Sequence, residues 1–585
     1  MKFKKILREP LFYLLLLLAA VYLIIIPAKT EISDIKVTRN NKTEAIQLPY
    51  SVDMPDNEIF IVSFNLLVKN KSTAKFNIIP DNCLQEILIN GENFPLDGIK
   101  GLCDWSKGMY FNFSEYIQEG LNYFEFRIIN SGGPAGLRVE IPYNGIYSLS
   151  FIHYIFALLL LLCIALILSK LKFKIIAIFI ILLGVTVRLI LYTYTGPLQY
   201  AYDTGGHLEY IKIIAEEKRL PKVNEDWSTF HPPLYYIGSA AIKNIVDRYD
   251  PTLTNRVLQQ ANLLISFAGI FLGVAFILNL FGNCRIAYLA ALVSVLWPGF
   301  VLSAPRITND SLFYLGALFC MFFAHRYWRL HKNSDIFLAS LGVAIALAAK
   351  SNGLVILGIW VIIYALSVIR SLKFGSLRML FASAFIILLS IGFSNYRTIV
   401  DIYDGKKVEL IGNISGLNSL LGVQNTSGSY IYFDMKDYLL EPYASPWADK
   451  GGRQYFWNYA LKTSLFGEFR LWDSPAGRIL ATAISALSLL VFALALWGII
   501  QSKFREFPAL LYTAVLFAAL IYIRIKYPYS ATTDFRFILP AVFPLAYFSA
   551  YGAQILENSR LKILSYLTLL SFAGLSFLII VGQAF

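Results

Sequence analysis

Long apolar segments recur along almost the whole of this 585-residue chain, and they restrict its fold more than any other feature. Hydrophobic residues make up 57% of the sequence. Runs of roughly 17–25 apolar residues are long enough to cross a bilayer as helices, and a soluble domain has no use for so many. The sequence therefore predicts a polytopic α-helical membrane protein with about thirteen spans.

The first 29 residues have the composition of a signal peptide. Lys2, Lys4, Lys5 and Arg8 precede an apolar run at 11–26. That run ends in IIIPAKT rather than in a small-residue cleavage site, so residues 1–29 are predicted to remain as a transmembrane signal anchor. The basic residues favour a cytoplasmic N-terminus.

Charges between the other apolar runs indicate one orientation for all of them. Further spans are predicted at 149–169, 175–194, 257–281, 286–302, 311–328, 336–349, 353–369, 379–395, 476–500, 508–524, 536–555 and 562–582. With these spans alternating in direction, every loop on the cytoplasmic side contains Lys or Arg, as the positive-inside rule requires. The apolar stretch 234–246 is too short to cross and is predicted to be a helix along the membrane surface.

The net charge of +13 follows from those loops and does not indicate nucleic-acid binding. The sequence contains no phosphate-binding glycine loop, no paired CxxC motif and no HExxH helix. Chemistry on soluble nucleotides and a structural zinc site are therefore not expected.

Residues 30–147 form a polar segment whose pattern is typical of β structure. Short alternating apolar runs such as IFIVSFNLLV and NYFEFRII are separated by turn signals, among them Asn90-Gly91 and Asp97-Gly98. The segment is predicted to be an extracytoplasmic β-sandwich. From ILINGENF onward it resembles the galactose-binding-like jelly-roll modules of glycosidases. A structural cap or an interaction domain is as good an interpretation as sugar binding.

Cysteine placement separates that segment from the rest of the chain. Cys83 and Cys103 both lie in it and would pair only outside the cytoplasm, and the sequence leaves their pairing open. Cys163, Cys284 and Cys320 fall in or beside apolar runs and are interpreted as packing residues.

The predicted external loop 195–234 carries a dense set of acidic, histidine and aromatic residues between apolar segments. Ionisable groups at the mouth of a membrane bundle suggest a functional site. Asp203 precedes a predicted helix that begins at Thr204, where its carboxylate would accept a proton from an attacking hydroxyl. Asp203 is also a favoured N-cap residue for this helix, and the two roles are compatible.

His207 follows Asp203 by four residues and shares its helix face. His231 ends the loop just before two prolines that fix the chain direction, so it is either a ligand contact or a polar residue at the water boundary. The residues predicted to bind the acceptor substrate are His207, Tyr210, His231, Tyr235 and Asp310.

Cations on the outer side run against the positive-inside bias and therefore need a partner, either a carboxylate or a lipid phosphate. Arg306 precedes Asp310 by four residues, and Lys350 follows a run of small residues. For each cation the simpler interpretation is snorkelling to the membrane surface. The residues predicted to bind a lipid phosphate are Arg306, Lys350, Lys526 and Arg536.

A second external loop, 396–475, is rich in aromatic residues and is predicted to cover the site as a lid. Its aromatic side chains suit an interfacial belt or a groove for sugar rings and polyprenyl chains. Asp434, Glu441 and Glu468 carry carboxylates that could bind a divalent cation. Their spacing in the sequence does not match a known metal-binding motif.

Several motifs in this order resemble the GT-C superfamily of membrane glycosyltransferases, and most of all its protein O-mannosyltransferase and aminoarabinose transferase branch. They are YDTGGHLEYI, FHPPLYY, APRITNDSLFYL, AAKSNGL, FWNYALKTSLFGEF and FRFILPAVFPLA. In that family an acidic residue in the first external loop is essential, and Asp203 occupies its position. Many members have Asp-Glu there, whereas Thr204 follows Asp203 in this chain.

The resemblance implies a GT-C-like membrane domain at 148–585 that transfers a sugar, with inversion, from a polyprenyl-phosphate donor to a protein, lipid or glycan acceptor. The membrane would be the plasma membrane, with the site and the β domain outside. Two alternatives remain. A lipid-linked oligosaccharide flippase would need polar residues at mid-membrane and repeat symmetry. A non-catalytic assembly factor that displays the β domain would leave the clustered Asp, His, Arg and Lys residues unexplained.

Overall fold

The computed structural model has a β region followed by a helical region. It describes residues 32–40, 42–46, 48, 50–68, 75–99, 102–103, 109–130, 134–140, 174–197, 200, 202–223, 225–249, 251–282, 284–371, 376–403, 419–472, 474–502 and 506–582. The predicted anchor (1–29) and the predicted span 149–169 lie outside these residues.

Ten strands occur among the described residues of the β region, and they form two antiparallel sheets. The strands are β1 (Ile32–Arg39), β2 (Lys42–Ala45), β3 (Tyr50–Asp53), β4 (Ile59–Val68), β5 (Lys75–Asp81), β6 (Cys83–Ile89), β7 (Glu92–Asn93), β8 (Met109–Asn112), β9 (Gly120–Ile129) and β10 (Pro134–Glu140). One sheet has the order β2-β1-β4-β9-β6-β7, and the other has the order β3-β10-β5-β8. The predicted β-sheet domain is therefore present.

Apolar side chains from both sheets share one core. Phe124 of β9 meets Phe76 of β5 edge to face, with ring centres 6.0 Å apart, so the two sheets pack face to face. The Asn90-Gly91 turn joins β6 to β7, and both residues have positive φ, as a tight hairpin requires. Cys83 and Cys103 form a disulfide, which resolves the pairing that the sequence left open.

Seventeen α-helices occur among the described residues of the helical region. They are α1 (Ile175–Tyr194), α2 (Thr204–Glu217), α3 (Leu234–Val246), α4 (Thr254–Phe281), α5 (Arg285–Val295), α6 (Pro298–Leu302), α7 (Asp310–Leu330), α8 (Asn333–Ala349), α9 (Gly353–Ser371), α10 (Leu377–Tyr403), α11 (Ser427–Ile431), α12 (Met435–Leu440), α13 (Phe456–Phe466), α14 (Pro475–Gln501), α15 (Phe507–Lys526), α16 (Val542–Ile555) and α17 (Lys562–Gly582). Short 3₁₀ segments, including Ser530–Thr533 and Phe535–Ala541, connect α15 to α16.

Eight helical segments in the described part of the chain are long and apolar enough to cross a membrane. A helix forms at each of the eleven predicted spans between 175 and 582, but α5 and α8 are shorter than a full crossing, and α7, although 21 residues long, is not among the eight. The chain is thus a multi-pass helical protein with a β domain. The stretch 234–246 is helical, as predicted, and its side chains Tyr235, Tyr236, Ser239 and Ala240 are buried.

The predicted span 286–302 is interrupted. Helix α5 ends before Trp297, and Pro298 begins α6 because proline is accepted in a first turn. Two carbonyls at this break, those of Val295 and Phe300, accept hydrogen bonds from the guanidinium of Arg188 at 3.1 and 3.3 Å. Arg188 is fully buried, so an arginine of α1 stabilises the interrupted backbone.

Helix α13 shows that loop 396–475 is more than a surface connection. All but one of its residues are buried, and the indole of Trp297 donates a hydrogen bond of 2.7 Å to the carbonyl of Ser464. A Cβ on Gly299 would lie 2.3 Å from the same carbonyl oxygen, so α6 and α13 touch through glycine. This part of the loop belongs to the core of the helical region.

Helices α7 and α8 pack closely through two glycines and bring two functional candidates together. A Cβ on Gly316 would lie 2.6 Å from the backbone nitrogen of Ala346, and one on Gly342 would lie 2.4 Å from that of Cys320. The helices run antiparallel, so the start of α7 meets the end of α8. Close packing therefore holds Asp310 beside Lys350.

We predict that Gly316→Ala lowers stability by about 1–3 kcal/mol, because the new methyl group must push α7 and α8 apart. Gly358→Ala is the matched control, since its Cβ would meet nothing within 4 Å. The measurement is the midpoint of thermal unfolding of both purified variants in one detergent. Equal midpoints for the two variants would contradict the close packing.

Candidate active site

Asp203 lies at the start of α2 but does not cap it. Its backbone is in the left-handed region at φ 48°, and its side chain makes no capping hydrogen bond. The carboxylate instead contacts the guanidinium of Arg536 at 3.4 Å, across 333 residues of sequence. The Asp203 side chain remains 41% exposed. The capping interpretation is therefore wrong, and the carboxylate is left available to a ligand.

His207 and His231 lie behind Asp203 in an aromatic layer. Nδ1 of His207 shares a hydrogen bond of 2.8 Å with the hydroxyl of Tyr236, whose ring stacks on Tyr210 at 3.8 Å. The two imidazoles face each other, with ring centres 5.8 Å apart. Burial lowers the pKa of His207 to about 4 and the pKa of His231 well below its usual value. Both imidazoles are therefore neutral at pH 7.

Lys350 and Asp310 make a buried ion pair at the open end of the α7–α8 hairpin, opposite the short connection between the two helices. Asp310 is the first residue of α7 and Lys350 follows the last residue of α8, so each charge also complements a helix dipole. The ammonium of Lys350 lies 4.8 Å from the ring centre of Phe537, directly after Arg536. The pair therefore borders the Asp203–Arg536 contact.

Tyr202 is held between two arginines. The guanidinium carbon of Arg536 lies 4.0 Å from the Tyr202 ring centre, and that of Arg306 lies 4.7 Å from it. Arg306 also faces the ring of Phe469 at 4.8 Å. Such contacts hold a cation against an aromatic face without neutralising its charge.

Arg306 differs from the other two cations of the site in its partners. Lys350 pairs with Asp310, and Arg536 pairs with Asp203 and lies 3.7 Å from a carboxylate oxygen of Asp534. Arg306 is only 7% exposed, yet its Nε and Nη2 have no hydrogen-bond partner among the described residues. Buried donors are normally satisfied, so this guanidinium is suited to an anionic ligand.

Glu468 adds a buried carboxyl group to the site. It accepts a hydrogen bond from the Tyr459 hydroxyl, and its backbone N–H donates to the Tyr202 hydroxyl at 3.0 Å. Burial, reinforced by the negative charge of Asp534, raises the pKa of Glu468 to about 7. Glu468 therefore changes charge near neutral pH beside Tyr202 and its two arginines.

Nine of the ten predicted site residues are connected in this way. Tyr235 joins them through Tyr236, at a ring distance of 5.3 Å, and accepts a hydrogen bond of 2.9 Å from Asn262. Lys526 is the exception. It is exposed at the end of α15, with its ammonium 5.2 Å from the Tyr527 ring.

The three carboxylates considered for a cation are not gathered together. Asp434 caps α12, Glu441 pairs with Arg478 at 3.0 Å, and Glu468 lies in the site. Within the described parts of the chain, no group of three or more His, Cys, Asp or Glu side chains is placed to hold a metal ion. The structure thus identifies no metal-binding cluster in these residues.

Sequence reasoning missed Tyr202 and Asp534, and it considered Glu468 only as a metal ligand. Tyr202 is adjacent to Asp203, and Asp534 lies two residues before Arg536, so proximity to a predicted residue was the available signal.

No protein-family model and no curated protein matches the chain. Its function is therefore inferred from its own residues.

We predict opposite effects on stability for two arginine variants. Arg306→Met removes a buried cation with unsatisfied donors and should leave the thermal midpoint unchanged or raised. Arg536→Met strands the buried carboxylate of Asp534 and should cost about 3 kcal/mol. Thermal unfolding of both variants checks this. An equal loss in both would show that Arg306 has a structural partner.

Proposed function

We propose that this protein is an inverting membrane glycosyltransferase of the GT-C type. It takes a sugar from a polyprenyl-phosphate donor and transfers it to a hydroxyl of an acceptor on the extracytoplasmic face. The order of motifs between 202 and 546 and the convergence of nine predicted residues support this proposal. The sugar and the acceptor class stay open.

One observation carries the proposal: a buried guanidinium with unsatisfied donors, that of Arg306, faces the ring of Tyr202, and the accessible carboxylate of Asp203 belongs to the next residue. Arg306 and Arg536 bracket the Tyr202 ring, and Arg536 contacts Asp203. A lipid phosphate held by Arg306 would therefore place its sugar near the Asp203 carboxylate. Transfer from a phosphate carrier needs a cationic group on the leaving phosphate and a base for the acceptor, and both are present.

In the proposed reaction the acceptor hydroxyl attacks the anomeric carbon on the face opposite the phosphate. A bond forms between the acceptor oxygen and that carbon, while the bond between the carbon and the phosphate oxygen breaks. Asp203 takes the hydroxyl proton, and the electron pair leaves on the polyprenyl phosphate. Arg306, with Arg536 and Lys350 near it, stabilises the charge that develops on the phosphate.

The neutral histidines suit the acceptor side of this site. Because burial keeps His207 and His231 uncharged, each has one ring nitrogen that accepts and one that donates a hydrogen bond. Tyr210, Tyr235 and Asp310 complete the polar and aromatic surface behind them. Because the charge of Asp310 is paired with Lys350, such a surface orients a hydroxyl-bearing group without an unpaired charge that would compete with the phosphate.

We also propose that the protein lies in the plasma membrane with its β domain on the extracytoplasmic side. The disulfide supports this orientation. Cys83 and Cys103 are bonded, and disulfides persist in oxidising compartments. This orientation agrees with the one predicted from Lys and Arg in the loops.

We predict that Asp203→Asn reduces sugar transfer by about 100- to 10,000-fold, since the amide cannot accept the proton. Purified protein in lipid is incubated with a panel of radiolabelled polyprenyl-phosphate sugars and membrane extract as acceptor, and labelled products are counted. The control is Glu209→Gln, an exposed carboxylate on the same helix that pairs with Lys212 at 3.5 Å. Transfer by Asp203→Asn at the control's rate would refute the assignment.

Glu468 should make donor binding dependent on pH. With its pKa raised to about 7, Glu468 is neutral below pH 7 and negative above it, where its charge repels the donor phosphate. The KM for the donor should be constant below pH 7 and rise by up to about tenfold per pH unit above it. In Glu468→Gln this rise should be absent. Identical KM profiles for both proteins would exclude this role.

A further inference from the structure

Arg397 lies near the end of α10, on a helix that otherwise faces outward. Only 11% of the apolar window of α10 is buried. The Arg397 guanidinium nevertheless points inward and donates to three backbone carbonyls: Pro221 at 3.0 Å, Thr229 at 2.6 Å and His231 at 2.7 Å. One side chain thus binds both ends of the segment 221–231.

The geometry of these bonds requires a guanidinium. One terminal nitrogen of Arg397 donates to Pro221 and Thr229, and the other donates to His231. A planar fork reaches carbonyls in different directions, whereas a lysine ammonium is a single point of charge. Because its donors are used on backbone carbonyls, Arg397 fixes the chain rather than presenting charge to a ligand.

Two serines hold α10 in register with the helix that carries Lys350. Ser390 donates a hydrogen bond to the carbonyl of Ala344 at 2.7 Å, and Ser394 donates to that of Leu347 at 3.1 Å. Ser390, Ser394 and Arg397 follow the spacing of one helix face. This polar stripe links α8 on one side to segment 221–231 on the other.

The segment in turn determines where the acceptor-side residues lie. The carbonyl of His231 also accepts a hydrogen bond from the Tyr210 hydroxyl at 3.2 Å. The guanidinium carbon of Arg397 lies 5.2 Å from the Tyr210 ring centre, and that ring stacks on Tyr236. Tyr236 bonds His207, which is on the first turns of the helix that Asp203 precedes. Arg397 is therefore three contacts from His207, whose backbone N–H donates to the carbonyl of the proposed base, Asp203, at 3.1 Å.

We propose that Arg397 is a positioning residue: through α10 it sets the distance between His231, the acceptor-side residue on segment 221–231, and Lys350, the phosphate-side residue that follows α8. This inference rests on the proposed glycosyltransferase function. A displacement of about 1 Å in such a site lowers turnover by around 100-fold. Donor binding at Arg306 does not depend on it.

The test uses the full-length protein in lipid and two readouts. In Arg397→Lys and in Arg397→Gln, hydrogen exchange of the amides in 222–231 should be faster than in the wild type. With any polyprenyl-phosphate sugar that the wild type turns over, kcat should fall by about 10- to 100-fold, while the donor KM should change by less than about threefold. Two variants are used so that the test can still be carried out if one of them does not fold.

Arg453→Lys is the matched control. Arg453 also binds loop carbonyls, those of Leu420 and Pro446, but on another segment. Its variant should leave exchange in 222–231 unchanged. Unchanged exchange in the Arg397 variants overturns the proposal, as does a donor KM that rises as much as kcat falls. A wild type that turns over none of the donors refutes the proposed function, while the exchange result still decides whether Arg397 holds the segment.

Discussion

A charge buried among apolar helices is tolerated only where nearby groups replace its lost hydration, and the arrangement of the site follows from that requirement. Lys350 has Asp310, and Arg536 has Asp203 and Asp534. The members of these pairs come from four separate parts of the chain. Formation of the ion pairs therefore also brings the residues of the site together. The Nε and Nη2 of Arg306 have no hydrogen-bond partner among the described residues, and we propose that an anionic ligand supplies one.

Stability and function make different demands on those residues. Close glycine packing between α7 and α8 brings Asp310 and Lys350 together, and the cost of two buried charges is offset by their contact. Arg306 has aromatic neighbours, and two of its guanidinium nitrogens have no hydrogen-bond partner among the described residues. A site that binds a charged ligand leaves its own charge incompletely paired beforehand, and the surrounding pairs keep that region folded.

The sequence predicted the apolar helices, the β domain and nine candidate residues that the structure brings together, because apolar length, turn dipeptides and Lys or Arg placement are local signals. Whether Asp203 caps α2 could not be decided locally, since its partner Arg536 is 333 residues away. Lys526 carries the same charge as Arg536, but it is exposed, and only packing separates the two. The burial of α13 and the role of Arg397 likewise depend on neighbours that are distant in sequence.

The interrupted helix at Trp297 has a consequence for how the chain is made. Arg188 of α1 enters the membrane first, but the carbonyls of Val295 and Phe300 that it binds follow 107 and 112 residues later. A lone arginine is costly in lipid until its partners arrive. We therefore expect the biosynthetic machinery to retain α1 until α5 and α6 have been synthesised. Crosslinking of arrested nascent chains would show whether α1 is instead released into the lipid earlier.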